Sequence, residues 1–207
     1  MYRPSAFAVD DISALHGVIR NRVFATIAAV HDGSVAFAYA PVVLDAGTGA
    51  RGGIRFHLAA GNPLAKLDDG ARVSISMIAV DAYVSPDWYR KLVTVPTWNY
   101  IAVEGDGLIR RSSREELRKL VIDLSAGEEQ KLLPKTPWLI DKVPPGRIET
   151  MLNGIVGFSL PFDRLQGKFK LSQDKSGEDF DGVIAGLEAR GEVASLTVAK
   201  EMRKVWR

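Results

Sequence analysis

The chain reads VFATIAAVHDGSVAFAYAPVVL over residues 23–44, which is two apolar runs separated by the residues HDGS at 31–34. The first run is continuous and rich in small and β-branched side chains, as is typical of a buried strand. An Asp-Gly pair tolerates positive φ, which a tight hairpin turn requires. The stretch therefore predicts an antiparallel hairpin with strands over 23–30 and 35–44.

Further strands and helices are predicted on both sides of this hairpin. Apolar or alternating runs predict strands over 54–58, 72–77, about 98–109 and 155–165. Capping residues followed by helical spacing predict helices that begin near Asp10-Asp11, at Ser113, after Pro145, at Ser176 and at about 194. Strands that cluster around hairpin turns, with helices arriving singly, indicate an α+β protein with an antiparallel sheet or barrel.

Length and composition fit one globular domain. The 207 residues are 46% hydrophobic and carry a net charge of +2 from 27 basic and 25 acidic side chains. A chain of this size closes a real hydrophobic core. We expect a single domain over 1–207, with a C-terminal helical extension from about 176 to 207.

Several classes of protein are excluded by composition. The chain has no cysteine, so it has no disulfide framework, thiolate metal site or cysteine nucleophile. Its apolar runs are too short for a membrane span, and its start lacks a secretory apolar core, so we expect a soluble cytoplasmic protein. The near-neutral charge argues against nucleic acid as the obvious partner, because phosphate neutralisation needs a basic excess.

A glycine-rich segment, GTGARG at residues 47–52, matches the dinucleotide-binding fingerprint in its letters. That motif requires a helix to begin at its third glycine. The extended run over 54–58 follows instead. We interpret the segment as a flexible loop between two strands.

The three histidines, His16, His31 and His57, are far apart in the chain and have no partner at metal-ligand spacing. No metal site is predicted. His57 ends a strand, where both a structural and a functional role remain open.

A stripe of basic residues lies along the last predicted helix, at Lys200, Arg203, Lys204 and Arg207. Such a stripe is usually a solvent face, since surface helices carry charge. Whether it contacts nucleic acid stays open.

The segment from 82 to 100 contains two tryptophans and three tyrosines among Ser, Thr and Asn residues. Aromatic side chains with a polar group suit a site for a flat ligand rich in heteroatoms. The alternative is that they cover a loop or a dimer seam.

A second unusual segment, GKFKLSQD, occupies residues 167–174. If it is extended, Lys168, Lys170 and Ser172 share one face and form a grip for a phosphate. A solvated edge strand is the alternative, because edge lysines are common.

No arrangement of nucleophile and base stands out in the sequence. Whether the protein is an enzyme stays open. If it is one, a bound organic cofactor must carry the chemistry.

The motifs together resemble the PaiB family of FMN-binding, split-barrel negative transcriptional regulators. The matching segments are MYRP at the start, FHLAAGNP at 56–63, YVSPDWY at 83–89, VPTWNY at 95–100, IVGF at 155–158, GKFKLSQ at 167–173 and GVIAGL at 182–187. They occur in the family's order over nearly the whole chain.

The resemblance implies a single FMN-binding domain built as an antiparallel six-stranded split β-barrel with peripheral helices. It also implies a homodimer that holds FMN at the subunit interface, with DNA as a further partner through the family alone. The implied cofactor-binding residues are His57, Asn62, Tyr83, Ser85, Trp88, Trp98, Asn99, Tyr100, Lys168, Lys170, Ser172 and Gln173.

Some positions differ from the family's pattern. Ala60 and Glu104 stand where many relatives carry arginine and histidine, which removes groups that favour a phosphate. Two alternatives to a regulator also stay open: an FMN-dependent oxidoreductase of the flavin reductase or pyridoxamine-phosphate oxidase kind, and a scaffold module whose flavin site has decayed.

Overall fold

The computed structural model describes residues 1–90 and 94–205. Nine strands, five α-helices and four short 3-10 helices occur in this part of the chain. In order they are β1 (Ala8–Val9), α1 (Ile12–Arg22), β2 (Phe24–His31), β3 (Ser34–Asp45), β4 (Gly53–Ala59), β5 (Arg72–Val84), β6 (Thr97–Leu108), β7 (Arg110–Arg111), α2 (Arg114–Gln130), α3 (Pro145–Leu152), β8 (Ile155–Pro161), β9 (Arg164–Lys170), α4 (Gly177–Arg190) and α5 (Val193–Val205).

The hairpin predicted over residues 23–44 is formed by β2 and β3. Its antiparallel register runs from Phe24 opposite Pro41 to His31 opposite Ser34. Asp32 and Gly33 between them have φ of 50° and 75°. This pair of positive values is what a two-residue hairpin turn demands, and Asp-Gly supplies it at low cost.

The strands form an antiparallel arrangement, and the α+β class with peripheral helices is confirmed. Their hydrogen-bonded order is β1-β9-β6-β5-β2-β3-β4-β8-β7. The predicted six-stranded barrel is wrong in its strand count, because the described residues hold nine strands, and the order has two ends instead of closing.

Part of the higher strand count comes from a break within one predicted strand. The single strand predicted over 155–165 divides into β8 and β9 at Phe162 and Asp163. Their backbone amides leave the strand ladder and donate to the carbonyls of Gly52 at 3.0 Å and Asp106 at 2.9 Å. The other two additional strands are β1 and β7, which have two residues each and are too short for sequence periodicity to detect.

The chain divides into two compact units. Unit 1 comprises Met1–Val18, Ile78–Glu104 and Gln166–Arg207, and unit 2 comprises Ile19–Met77 and Gly105–Leu165. Strands β5, β6 and β9 contribute residues to both. The expectation of a single domain stays a prediction.

The core of unit 1 is built largely from its C-terminal helices. Ser176 caps α4 by accepting a hydrogen bond from the amide of Asp179 at 3.3 Å, as its position in the sequence predicts. Phe180, Val183 and Leu187 of α4 are buried together with Val198 and Met202 of α5. The predicted C-terminal extension is therefore an integral part of this core.

The core of unit 2 lies between strands and α2. Phe56 of β4 stacks on Phe158 of β8, with ring centroids 5.4 Å apart.

Helix α2 begins with the predicted capping box, in which Ser113 and Glu116 exchange hydrogen bonds. The guanidinium of Arg110, together with this cap, lowers the pKa of Glu116 to about 2.

No helix in residues 1–90 or 94–205 has the length and apolarity that a membrane crossing needs.

Candidate functional site

The twelve residues singled out in the sequence fall unevenly between the two units. Ten of them belong to unit 1, while His57 and Asn62 belong to unit 2. The ten come from β5, β6, β9 and the turns that follow β5 and β9. Segments that are far apart in the sequence thus meet within one unit.

Unit 1 contains a cavity of about 360 Å³, here called the lysine pocket. This volume is within the range of small-molecule sites. Three residues predicted from sequence line it: Asn99, Lys170 and Ser172. The other lining residues are Phe7, Tyr89, Thr94, Val95, Thr97, Asp174 and Lys175.

Lys170 is held at the end of β9 by oxygen atoms of β6. Its Nζ donates to Oγ1 of Thr97 and, at 3.0 Å, to the carbonyl of Trp98. Partial burial lowers the pKa of Lys170 because it removes water from the ammonium group. An anion entering the pocket would meet an ammonium that is already oriented by two acceptors.

Lys175 is a second ammonium in the pocket that the sequence reasoning missed. It pairs with the carboxylate of Asp174 at 2.9 Å, which raises the pKa of Lys175. Its Nζ also lies 5.8 Å from the ring centroid of Tyr89, within the range of a cation–π contact. The sequence contained one signal for it, because Lys175 is a third lysine that follows the matched GKFKLSQ segment by two residues.

Ser172 and Asn99 form the buried floor of the pocket. Nδ2 of Asn99 donates to Oγ of Ser172 at 2.9 Å. Ser172 has φ of 62°, so the strand has ended before it. The segment is not extended as far as Ser172, because β9 stops at Lys170, so the condition under which Ser172 would share a face with Lys168 and Lys170 is not met.

Tyr83 of β5 and Trp98 of β6 form an exposed aromatic pair. Their ring centroids are 6.1 Å apart with planes at 76°, an edge-to-face contact. The side chains remain 37% and 52% exposed. Neither ring is among the residues that line the lysine pocket, and their open aromatic surface suits the flat ring of a ligand.

Lys168 and Tyr100 form a separate contact in the same unit. The ammonium of Lys168 lies 5.4 Å from the ring centroid of Tyr100 and 5.5 Å from that of Tyr2. It also donates to the carbonyl of Tyr2 at 3.1 Å. Glu104, one of the departures from the family pattern, accepts from the N-terminal ammonium at 2.8 Å.

The remaining three predicted residues of unit 1 support the backbone. Ser85 accepts from the amide of Asp87 at 3.3 Å and caps a short 3-10 helix. The indole of Trp88 packs against Gly186 of α4, where an added Cβ would lie 2.2 Å from its Cδ2. Gln173 bridges the turn after β9, accepting from the amide of Leu171 and donating to the carbonyl of Phe169.

The two predicted residues of unit 2 have different surroundings. Asn62 caps a 3-10 helix by accepting from the amide of Leu64 at 2.9 Å. His57 lines a cavity of about 370 Å³, here called the histidine cavity. Burial lowers the pKa of His57, so its imidazole is neutral at pH 7.

The weaker sequence signals have structural explanations. GTGARG lies in the loop between β3 and β4, and the strand Gly53–Ala59 follows it without a helix. On α5, Arg203 pairs with Glu188 and Lys204 with Glu201, while Arg207 lies outside the described residues. Residues 1–90 and 94–205 contain no cluster of three or more side chains able to hold a metal ion.

The fold and unit 1 define a class of protein: an α+β antiparallel protein with ammonium groups in a cavity and open aromatic rings in the same unit. Residues 1–164 match the family described as "Putative FMN-binding domain". The chain belongs to this family. It is also 30% identical over 190 residues to Protease synthase and sporulation protein PAI 2 of Bacillus subtilis, covering 91% of this chain and 89% of that protein. The resemblance to the PaiB family is thereby confirmed.

Solved structures show the same fold at low sequence identity. The flavocytochrome Anf3 from Azotobacter vinelandii aligns with a TM-score of 0.59 and 16% identity, over 87% of this chain and 78% of that one. The FAD and heme binding protein from Mycobacterium smegmatis aligns with a TM-score of 0.55 and 18% identity, over 84% and 78%. These neighbours show the fold, while the match of residues 1–164 to the FMN-binding family confirms the expected flavin cofactor.

Proposed function

We propose that the protein binds FMN through unit 1, with the phosphate in the lysine pocket and the flavin ring against Trp98 and Tyr83. The observation that carries the proposal is the lysine pocket, where Lys170 and Lys175 flank hydroxyl groups within one cavity. Charge-assisted hydrogen bonds are the strong ones for phosphate recognition. The side chains present therefore fit an FMN phosphate in their donor chemistry.

The ring position follows from the open aromatic surface. Lys170 at the end of β9 donates a hydrogen bond to the backbone carbonyl of Trp98 near the start of β6, so its ammonium lies next to the backbone that carries the exposed indole. A flat heteroaromatic ring stacks on an indole without needing a specific hydrogen-bond pattern. Three further residues stabilise the turns that follow β5 and β9, next to Tyr83 and Lys170: Ser85, Trp88 and Gln173.

Titration of the purified protein with FMN and with riboflavin tests this proposal. FMN is expected to bind more tightly, because riboflavin lacks the phosphate. Trp98→Ala should weaken both ligands by about tenfold, since one stacking contact contributes roughly 1 to 3 kcal/mol, and Trp98→Phe should retain most of the affinity. Equal affinity of FMN and riboflavin, or no binding of either by calorimetry, would contradict the proposal.

The proposed partner is a second copy of the chain. One face of the β2–β3 hairpin in unit 2 exposes five large apolar side chains: Phe24, Val30, Val35, Phe37 and Tyr39. Alternate residues Ala25, Ile27, Ala38 and Ala40 point into the core, so this is the outer face of the hairpin. Exposed apolar patches on a rigid sheet are typical of protein interfaces.

Phe37→Lys tests the dimer. We expect the wild-type protein to sediment as a homodimer and the variant as a monomer, since a lysine would be buried without a partner. Val193→Lys, at an apolar side chain that is 82% exposed on α5, is the matched control and should stay dimeric. If FMN lies at the subunit interface, the monomeric variant should also lose FMN affinity. A wild-type monomer at tens of micromolar would refute the assembly.

We further propose that the flavin-bound dimer acts as a negative transcriptional regulator of the PaiB type. The support is the family resemblance alone. The pairing of Arg203 and Lys204 with carboxylates counts against α5 as a DNA-binding surface, because it offsets two of its positive charges. Retardation of a promoter fragment that persists at physiological salt would support regulation, whereas loss at moderate salt indicates nonspecific attraction. Bleaching of the bound flavin by NADPH would instead indicate an FMN-dependent oxidoreductase.

A further inference from the structure

The histidine cavity of unit 2 has a lining that is almost wholly apolar. Val121 of α2, Trp138 and Ile140 of the following segment, and Ile148 and Met151 of α3 form its walls. Among the described residues, no Asp, Glu, Lys or Arg side chain lines it, and His57 is its one titratable group. The hydroxyl of the other polar residue, Ser125, already donates to the carbonyls of Val121 and Ile122 at 2.8 and 3.0 Å.

His57 leaves one polar atom of this region unsatisfied. Its Nδ1 is buried and has no hydrogen-bond partner among the described residues. A buried polar atom without a partner costs roughly 1 to 3 kcal/mol, and such an atom in a native structure calls for an explanation. A hydroxyl or carbonyl group of a bound molecule, reached by a small rotation of the ring, would provide the missing partner.

Two sets of hydrogen bonds fix the walls of the cavity. The carboxylate of Glu129 accepts from Nζ of Lys135 and, at 2.7 Å, from the amide of Trp138. The carboxylate of Glu149 on α3 accepts from Arg114 at 2.8 Å and from Arg118 at 2.9 Å, both on α2. The segment that carries Trp138 and the helix that carries Met151 are thus tied to α2, and the space between them is part of the fold.

The size and the lining together select a class of ligand. A dry cavity of about 150 Å³ lined by apolar side chains binds benzene, so about 370 Å³ accommodates a bicyclic aromatic molecule. An ionised ligand would lose its hydration without gaining a countercharge. We propose that the histidine cavity binds a neutral, largely aromatic small molecule whose single hydroxyl or carbonyl group pairs with the imidazole of His57. This proposal does not depend on flavin binding.

Calorimetric titration of the full-length protein at pH 7 with 1-naphthol and with naphthalene tests the proposal. Both probes should bind, and 1-naphthol should bind about fivefold more tightly, the factor that one neutral hydrogen bond of about 1 kcal/mol supplies. Ser125→Trp should weaken both probes at least tenfold because the indole fills the cavity. Ser125→Ala is the matched control, since it removes the hydroxyl without filling space, and should bind as the wild type does.

A second variant addresses the polar contact. His57→Leu should retain naphthalene binding and abolish the preference for 1-naphthol. Failure of the wild type to bind either probe overturns the proposal, as does equal affinity of Ser125→Trp and Ser125→Ala. If His57→Leu does not fold, the two probes compared on the wild type still decide, because equal affinities would refute a role for the imidazole.

Discussion

The lysine pocket and the histidine cavity have nearly the same volume, about 360 and 370 Å³, and opposite chemistry. The first places two ammonium groups, a carboxylate and several hydroxyls around its space. The second has a neutral imidazole in a wall of aliphatic and aromatic side chains. The two linings are the basis on which we propose a site for an anionic ligand in unit 1 and a site for a neutral ligand in unit 2.

The difference shows that the lining, not the volume, assigns a ligand to each cavity. An anion placed beside Val121 and Ile148 would be desolvated without compensation, while an apolar molecule placed beside Lys170 would cover ammonium groups that need water or a partner. Substitutions that alter charge in one cavity should therefore leave the preference of the other unchanged.

The largest effect is expected from Lys170→Met. Loss of a charge-assisted hydrogen bond of roughly 1.5 to 3 kcal/mol should lower FMN affinity by about 10- to 100-fold. Riboflavin affinity should change little, because its ribityl chain carries no phosphate. The measurement is calorimetric titration of each ligand, with exposed Lys200→Met on α5 as the control for a lost positive charge. An equal loss for both flavins would mean that Lys170 supports the fold of the pocket and does not contact the phosphate.

A somewhat smaller effect is expected from Gly186→Ala in unit 1. The new Cβ would lie 2.2 Å from Cδ2 of Trp88, so the indole or the helix must shift. Such overpacking lowers the free energy of unfolding by typically 1 to 3 kcal/mol. Gly127→Ala on α2 of unit 2, where an added Cβ meets nothing within 4 Å, should instead raise it by about 0.5 to 1 kcal/mol. Urea denaturation measures both. Unchanged stability in Gly186→Ala would show that Trp88 is free to move and available to a ligand.

Local signals in the sequence predicted the elements that depend on local chemistry. The Asp32-Gly33 turn and the Ser113 cap each act over two to four residues, and both are present as expected. The capping role of Ser176 followed from the same reasoning. The family motifs further indicated the aromatic and lysine segments whose side chains meet in unit 1.

Long-range contacts account for what the sequence could not predict. The division of β8 from β9 depends on the carbonyls of Gly52 and Asp106, which accept from Phe162 and Asp163 across more than fifty residues. The packing of Trp88 on Gly186 and the contribution of Lys175 to the lysine pocket depend on α4 and on the turn after β9. The histidine cavity requires the tie between Glu149 and Arg114, which no periodicity in the sequence reveals.

The smallest expected effect is a change in the pH dependence of the free energy of unfolding when His57 of the histidine cavity is replaced. Burial lowers the pKa of His57 below its ordinary 6.5, so the unfolded state binds its proton at a higher pH than the folded state does. The contribution of His57 to the free energy of unfolding is therefore at its maximum above about pH 7.5. It decreases as the pH falls through 6.5 toward the folded-state pKa. His57→Leu should remove this part of the decline between pH 7.5 and 5.5 in urea denaturation, whereas His31→Gln, in the hairpin turn, should leave it in place. Because a protonated ring can only donate a hydrogen bond, whereas the neutral ring can also accept one, the preference for 1-naphthol over naphthalene should change over the pH range in which the folded protein takes up this proton. If the preference for 1-naphthol over naphthalene stays constant until the protein unfolds, His57 does not contact the ligand, and the histidine cavity binds through apolar contacts alone.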